Sequence, residues 1–167
     1  VYINSKEDGV KNLSMNIFII NRDLLVEMVD NALLRGQEFF MRDVLMPQIN
    51  KLNVKGYKYT GYVGFITDMK SYFDENMKLL DDYNLDALFS GSPVYTKIRG
   101  DHPTQYVNGS KVQNVMVAAG CIIEGEVENS VIFRGVKIAK GATVKNCILM
   151  QDTVVESGAN IEYLITD

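Results

Sequence analysis

The sequence predicts a mixed α/β segment followed by a parallel β-helix of hexapeptide repeats. Three observations lead to this prediction: apolar residues recur every six positions near the C-terminus, glycine-containing turns separate the repeats, and strand-like apolar runs alternate with amphipathic helical stretches before them. The predicted boundaries are residues 1–84 for the α/β domain, 85–105 for a linker and 106–167 for the β-helix.

One short pattern recurs between Val112 and Asp167: an aliphatic residue, any residue, asparagine and then three mostly apolar residues. The copies begin at Val112, Val127, Val144 and, in degraded form, Ile161, so the starts lie 15, 17 and 17 residues apart. A six-residue period fits neither a helix nor an isolated strand, but three hexads make one triangular coil of roughly 18 residues. The backbones of successive coils then pair about 4.8 Å apart.

Asparagine and glycine occupy the predicted corners of this coil. Asn114, Asn129 and Asn146 share one register in the repeat. Corners require left-handed or otherwise restricted backbone angles, which glycine adopts without strain and asparagine tolerates. We therefore expect the three asparagines to form a stacked ladder along the coil.

The alternation of predicted strands and helices in residues 1–84 is typical of a layered α/β domain. Strands are predicted at residues 1–4, 14–20 and 54–61, of which 14–20 is a continuous apolar run that suits a strand buried on both faces. Helices are predicted from an Asn21 cap to Gly36, over residues 40–52, and from a Thr67 cap. Because the chain opens at Val1 without an initiator methionine, we expect it to be a piece of a longer protein.

Composition excludes several classes of protein. The 167 residues are 47% hydrophobic and 23% charged, with a net charge of −4, which is typical of a globular protein and does not suit a nucleic-acid binder. No apolar run approaches the roughly 20 residues of a membrane helix. The two cysteines, Cys121 and Cys147, lie inside the repeats and suit reduced, buried thiols of a cytoplasmic protein better than a zinc site.

Few residues suggest chemistry. Neither a GxxxxGK[ST] nor a GxGxxG phosphate loop occurs, and the single histidine, His102, precedes the first repeat. Hexapeptide acyltransferases present a histidine base from their coils, so this alternative is disfavoured. Lys97, Arg99 and His102 lie within six residues and form a candidate anion site for a phosphorylated effector, although a solvated loop is the simpler interpretation.

Several short motifs follow one another in a specific order. A Ser-Met-x-Ile-aromatic segment starts at Ser14, a Phe-x-x-Asp helix reaches Asp43, and a Gly-Tyr element at Tyr62 leads into a Ser-Tyr-aromatic helix; Pro93-Val-Tyr-Thr and the hexapeptide repeats follow. This order resembles that of ADP-glucose pyrophosphorylases, the glucose-1-phosphate adenylyltransferases of glycogen and starch synthesis. The resemblance covers residues 14–167. It implies the later part of a Rossmann-like nucleotidyltransferase domain and a β-helix that is left-handed, as in hexapeptide-repeat proteins.

The chain departs from the family's pattern near the implied substrate site. Asn16 and Met41 stand where the family has glycine, and Phe65 stands where the resemblance implies an aspartate that helps to hold Mg²⁺. Phenylalanine offers no oxygen to a hard cation. Asp68 lies at the start of a predicted helix, so we expect its side chain to point away from the implied metal site. The degenerate substrate-site positions are Ser14, Met15, Asn16, Asp43, Tyr62 and Phe65.

The resemblance therefore implies a regulatory, non-catalytic type of subunit, without catalytic or metal-binding residues of its own, in bacterial glycogen synthesis. Its expected partners are a catalytic subunit in a hetero-oligomer, or further copies that associate through the β-helix, and a phosphorylated small-molecule effector. Mg²⁺ is expected only on the catalytic partner, and neither nucleic acid nor membrane is an expected partner. A divergent catalytic sugar-nucleotide pyrophosphorylase, a hexapeptide acyltransferase and a purely structural oligomerisation module remain as alternatives.

Overall fold

The computed structural model describes residues 14–91 and 94–167, so the predicted strand at residues 1–4 and the linker residue Pro93 lie outside the described residues. The chain divides into two compact units, Val1–Lys58 and Tyr59–Asp167. These two units do not coincide with the domains predicted from the sequence. The predicted domain boundaries stay a prediction.

The described part of the first unit contains one regular α-helix. Helix α1 spans Arg22–Leu34, and the side chain of Asn21 caps it by accepting hydrogen bonds from the backbone N–H groups of Asp23 and Leu24. Gly36 ends the helix with φ +64°, a left-handed conformation that only glycine adopts without strain. The predicted helix, with its asparagine cap and glycine stop, is confirmed.

The next predicted helix, residues 40–52, forms only as short, irregular turns. Phe40–Leu45 is a π-helix and Met46–Gln48 a 3₁₀-helix. Pro47 lies in the first turn of the 3₁₀ segment, where its missing N–H group costs nothing, but it prevents one continuous α-helix through the stretch. Among the described residues of this unit, four buried side chains form a core: Met28, Ala32, Val44 and Leu45.

The predicted strands at residues 14–20 and 54–61 do not form. Both segments are irregular, and Ile17 and Ile19 are 74% and 102% exposed. An apolar run becomes a strand only when a neighbouring strand pairs with its backbone, and the described part of this unit contains no such neighbour. Residues 14–91 are therefore helical and irregular, and the predicted Rossmann-like α/β architecture is not seen in them.

Two α-helices open the second unit. Helix α2 spans Met69–Lys78 and begins at Asp68, one residue after the predicted Thr67 cap: the Asp68 carboxylate accepts from the Ser71 N–H at 2.7 Å, and the Ser71 hydroxyl accepts from the Asp68 N–H at 2.9 Å. Helix α3, Asp82–Phe89, was not predicted, and its Asp81 cap is the local signal that was overlooked.

Ten short strands follow, all paired in parallel. They are β1 (Gln105–Tyr106), β2 (Lys111–Val117), β3 (Ile122–Ile123), β4 (Glu126–Ile132), β5 (Lys137–Ile138), β6 (Thr143–Lys145), β7 (Ile148–Leu149), β8 (Val154–Val155), β9 (Asn160–Glu162) and β10 (Ile165–Thr166). One sheet has the order β1-β3-β5-β8, and the other has the order β10-β7-β4-β6-β9 with β2 also paired to β4. Helix α2 packs against β4.

The pairing register matches the repeat spacing seen in the sequence. Val112 pairs with Val127, Val127 with Val144 and Val144 with Ile161, so the partners are 15, 17 and 17 residues apart. The predicted parallel β-helix is therefore confirmed. Its core is a column of inward aliphatic side chains with two thiols, namely Cys121, Ile123, Val127, Ile132, Val136, Ile138, Ala142, Val144, Cys147, Leu149 and Val155.

The predicted asparagine ladder runs along one corner of the coil. Asn114, Asn129 and Asn146 have φ values of 51°, 47° and 49°. The Asn114 amide donates to Asn129 Oδ1 at 2.8 Å, and the Asn129 amide donates to Asn146 Oδ1. The ladder ends where Asn146 donates to Glu162, because Tyr163 takes the fourth corner, again with positive φ.

Two further properties of the described residues bear on function. None of their helices has the length and apolar character that a bilayer crossing requires. Both cysteines are buried and unpaired, and burial raises the pKa of the Cys147 thiol, which keeps it protonated and poorly nucleophilic.

Candidate functional site

The backbone at Asn16 has a left-handed conformation of the kind that glycine adopts easily. Its φ is +54°, and its N–H group donates to the Ser14 hydroxyl at 3.2 Å. Asparagine is among the few side chains that tolerate this left-handed angle. Asn16, where the resemblance implies a glycine, therefore lies in an exposed turn with Ser14 and Met15 and has a φ that glycine also adopts.

The Asp43 carboxylate is held by its own helical turn. It accepts from the Arg42 guanidinium and, at 3.1 Å, from the Phe39 N–H group. These contacts, with the Arg42 hydrogen bond as the largest cause, lower the pKa of Asp43 to about 2. The guanidinium also lies 4.2 Å from the centroid of the Phe39 ring, so Asp43 and Arg42 anchor the start of the π-helix.

Tyr62 is fixed to helix α2. Its hydroxyl donates to Glu75 Oε2 at 2.7 Å, while Lys78 donates to Glu75 Oε1 at 2.7 Å. Burial, then the Glu75 hydrogen bond, raises the pKa of Tyr62 to about 12, so the phenol remains protonated. The hydrogen bond from Lys78, then that from Tyr62, lowers the pKa of Glu75 and keeps it ionised.

The side chain at position 65 offers no oxygen where the family resemblance implies an aspartate. Phe65 is 51% exposed, and the nearby Asp68 carboxylate is committed to the Ser71 N–H group. That backbone hydrogen bond is the largest cause of the lowered pKa of Asp68. Within the described residues, no group of three or more histidine, cysteine, aspartate or glutamate side chains is arranged to hold a metal ion.

The predicted substrate-site positions fall in both compact units. Ser14, Met15, Asn16 and Asp43 belong to the first unit, and Tyr62 and Phe65 belong to the second. Inside the first unit, the described contacts tie Asp43 to residues 37–42 and not to the Ser14 turn. The assignment of these positions to one degenerate site stays a prediction.

The candidate anion site contains an arginine that the sequence did not point to. Arg99 Nε lies 3.4 Å from Asp101 Oδ2, and Arg134 Nη1 lies 3.1 Å from the same oxygen. Lys97 and His102 are exposed, and the described structure shows neither of their side chains in contact with this pair. Arg134 is 33 residues from Asp101 in sequence, and only the stacking of coil corners brings it near.

Comparisons with known proteins agree with the repeat and with the motif order. Residues 102–167 match the family model described as GlmU-like, C-terminal hexapeptide. The chain is 33% identical over 155 residues to the glycogen biosynthesis protein GlgD of Bacillus subtilis (strain 168). The aligned region covers 92% of this chain and 45% of that protein. It is 38% identical over 136 residues to the glucose-1-phosphate adenylyltransferase of Geobacillus stearothermophilus, with 79% of this chain and 35% of the relative covered.

A third relative is the GlgD protein of Geobacillus stearothermophilus, which is 37% identical over 132 residues and is covered to 38% of its length. The chain thus spans less than half the length of each of these three proteins.

Proposed function

The chain belongs to the same family as the glucose-1-phosphate adenylyltransferases and the GlgD glycogen biosynthesis proteins, and we propose that it is part of a regulatory, non-catalytic subunit of such an adenylyltransferase. The enzyme's reaction converts ATP and glucose 1-phosphate into ADP-glucose and diphosphate. In this proposal the chain contributes to assembly and regulation, and a partner subunit performs the chemistry.

The observation that supports a non-catalytic role most strongly is the side chain at position 65. Phosphoryl transfer of this kind depends on Mg²⁺ to neutralise charge that develops on the phosphates, and Mg²⁺ takes oxygen ligands. Phe65 supplies none, and Asp68 is occupied as the cap of helix α2. Mg²⁺ therefore belongs to the catalytic partner, and this chain needs no metal of its own.

The proposal extends to the fold and partners of the whole protein. Residues 14–84 are the later part of a Rossmann-like nucleotidyltransferase domain whose sheet is completed by other strands, which accounts for exposed apolar side chains such as Ile17, Ile19 and Leu33. The β-helix winds left-handed and associates with the catalytic subunit or with further copies. Lys97, Arg99 and His102 contribute to a site for a phosphorylated effector.

Reconstitution tests this function. The full-length protein is mixed with the catalytic adenylyltransferase subunit of the same organism, and ADP-glucose formation is followed together with co-elution of the two chains on a sizing column. We expect co-elution and a changed rate or effector response relative to the catalytic subunit alone. Separate elution with unchanged kinetics would contradict the proposal.

The variant Phe65→Asp separates a missing ligand from a wider loss of the site. Because Asn16 and Met41 also depart from the family's pattern, restoring one carboxylate is expected to leave the isolated protein inactive while co-elution persists. Phe65→Leu is the matched control for the loss of the aromatic ring. Activity gained by Phe65→Asp alone would instead favour a recently inactivated or divergent catalytic enzyme.

A divergent catalytic enzyme is the second candidate, and one observation favours it. Asn16 keeps φ at +54°, so the turn at the implied sugar-phosphate site retains the angle that glycine would supply. A retained turn is compatible with substrate binding, but it supplies no metal ligand.

A further inference from the structure

The turn between β1 and β2, residues 107–110, has a conformation that recurs along the coil. The Ser110 N–H donates to the Val107 carbonyl at 3.0 Å, and Gly109 takes the third position with φ +97°. The same corner of two later coils has turns closed by hydrogen bonds of 3.1 Å, in which Gly141 and Gly158 have φ +80° and +75°. A positive φ at the third position is typical of a type II turn, which favours glycine there.

Asn108 stands directly before the glycine of the β1–β2 turn, and it is the only asparagine in the sequence that glycine follows. Glycine has no Cβ to hinder its own nitrogen, and a Cβ built on Gly109 would meet nothing within 4 Å. Both residues are exposed, and among the described residues neither the Asn108 side-chain amide nor the Gly109 N–H has a hydrogen-bond partner. The Gly109 nitrogen and the Asn108 side-chain carbonyl carbon are therefore free to meet.

The outermost position of this turn in the described stack adds to its freedom. In the described structure, β1 pairs with β3 alone and β2 with β4 alone. Ring closure between the two residues requires the peptide plane that joins them to rotate, and the Asn108 carbonyl of this plane accepts no hydrogen bond in the described part of the chain. In the matching inner turn, the Lys140 carbonyl accepts from the Ser157 hydroxyl at 2.8 Å. The inner turn is therefore held where the outer turn is not.

We propose that Asn108 is a site of spontaneous deamidation, which converts it chiefly to isoaspartate. The Gly109 nitrogen attacks Cγ of Asn108 and forms a C–N bond. The Cγ–Nδ2 bond breaks, and Nδ2 leaves as ammonia with the proton that the Gly109 nitrogen gives up. Water then opens the five-membered succinimide ring. Opening at the main-chain carbonyl carbon gives isoaspartate, and opening at Cγ gives aspartate.

Isoaspartate lengthens the main chain of the turn by a methylene group and adds a negative charge. The ends of the turn are fixed to the next coil, because the Val107 N–H donates to the Ile123 carbonyl at 2.9 Å and the Lys111 N–H donates to the Gly125 carbonyl at 3.2 Å. A longer chain between fixed ends does not keep the turn's closing hydrogen bond in its present geometry. The modified protein should therefore melt at a lower temperature. This modification is independent of the subunit function proposed above.

The test follows the folded full-length protein during incubation at neutral pH and physiological temperature. Trypsin then releases residues 100–111, in which Asn108 is the only asparagine. We expect mass spectrometry to show a progressive change of this peptide from the amide to the acid form. The acid form should accept a methyl group from S-adenosylmethionine when an isoaspartate methyltransferase is added.

Asn146 is the internal reference in the same protein. Its amide donates to Glu162, and the N–H of the following residue, Cys147, donates to Ser130 Oγ at 3.0 Å. Because both reacting groups are engaged and the following residue carries a side chain, Asn146 should stay in the amide form.

Two variants separate the chemistry from its structural setting. Asn108→Gln keeps an amide but requires a six-membered ring, which closes more slowly, so the acid form at this position should disappear. Lys140→Asn places the same Asn-Gly pair in the inner turn, where it should react about tenfold or more slowly than Asn108. In urea, which unfolds both turns, the two rates should become equal. Thermal melting verifies that each variant is folded before incubation.

Three results would overturn the proposal. The first is a peptide 100–111 that stays in the amide form as long as Asn146 does. The second is an acid form that contains no isoaspartate. The third is an asparagine introduced by folded Lys140→Asn that reacts as fast as Asn108, since the open outer turn would then have no effect on the rate.

Discussion

At the scale of single residues, the corner asparagines meet two requirements with one side chain. Their backbone needs a positive φ, which costs most other residues about 1–2 kcal/mol. Their amides also donate and accept along the coil axis, as the Asn114 to Asn129 bond of 2.8 Å shows. The repeat in the sequence was sufficient to predict this ladder, because three asparagines in one register favour a ladder over unrelated turn residues.

Substitutions at Asn129 should separate these two contributions. Asn129→Gly removes both ladder bonds but keeps the φ of 47° accessible, whereas Asn129→Ala also incurs the left-handed strain. We expect both to lower the free energy of unfolding, with alanine about 1–2 kcal/mol less stable than glycine. Urea denaturation followed by circular dichroism measures the difference. Equal stability of the two variants would show that backbone strain does not matter at this corner.

The Asp43 carboxylate gives a pH prediction. Its folded pKa is lowered to about 2, against an ordinary value of 3.8, chiefly by the hydrogen bond from Arg42. A lowered folded pKa means that the stabilisation is fully present above the ordinary value and is lost as pH falls from there towards 2. Carboxyl ¹³C NMR should report this low pKa, and Arg42→Gln should move it back towards 3.8. A wild-type pKa near the ordinary value would contradict the arrangement.

Other residue-level contacts could not be predicted, because they depend on tertiary placement. The sequence suggested Lys97, Arg99 and His102 as an anion site because they are close along the chain. The structure instead places Arg134 beside Asp101, with Arg99 the one predicted member in contact. No local pattern marks Asp101 and Arg134 as a pair, because they lie 33 residues apart in the sequence. The one usable clue was that Arg134 directly precedes a corner glycine.

At the scale of elements, the β-helix has one short corner. Four residues connect Ile138 to Thr143. The pairing partners of these two residues on the preceding coil, Ile123 and Glu126, are connected by only two residues, Glu124 and Gly125. This accounts for the single 15-residue spacing among the repeats. The tight path brings the backbone close to the next coil, where a Cβ on Gly125 would lie 2.5 Å from the Ala142 carbonyl oxygen.

Gly125→Ala should therefore destabilise the coil. The clash is with backbone atoms, which cannot move without disturbing the strand pairing, and overpacking of this kind costs about 1–3 kcal/mol. Gly100→Ala is the matched control, because a Cβ there meets nothing within 4 Å and φ is not in the left-handed range. Thermal unfolding should show a clear loss for Gly125→Ala and little change for Gly100→Ala. Equal melting temperatures would contradict the short-corner geometry.

The elements differ in how far the sequence could predict them. The coil and helix α1 are specified by local signals, namely the repeats, the asparagine cap and the terminal glycine. The strands predicted at residues 14–20 and 54–61 depend on pairing with other strands, and apolar composition alone cannot supply a partner. The identity of the α2 cap was missed by one residue because Thr67 and Asp68 are both good caps, and only the reciprocal bond with Ser71 decides between them.

At the scale of the whole molecule, the function proposed above depends on a partner subunit. The chain spans less than half the length of three relatives that it matches. The β-helix has a complete core of its own, whereas helix α1 buries few of its apolar side chains, with Met28 and Ala32 inside and Leu33 72% exposed. This contrast favours a scaffold that acts within a larger assembly.

The central claim is that the subunit to which this chain belongs performs no adenylyl transfer by itself. The most direct measurement is ADP-glucose formation by the purified full-length protein alone, supplied with ATP, glucose 1-phosphate and saturating Mg²⁺, with a catalytic adenylyltransferase as the positive control. Because Phe65 offers no metal ligand and Asp68 is engaged as a helix cap, we predict no formation above the background without protein. Turnover at the control enzyme's rate would contradict the account.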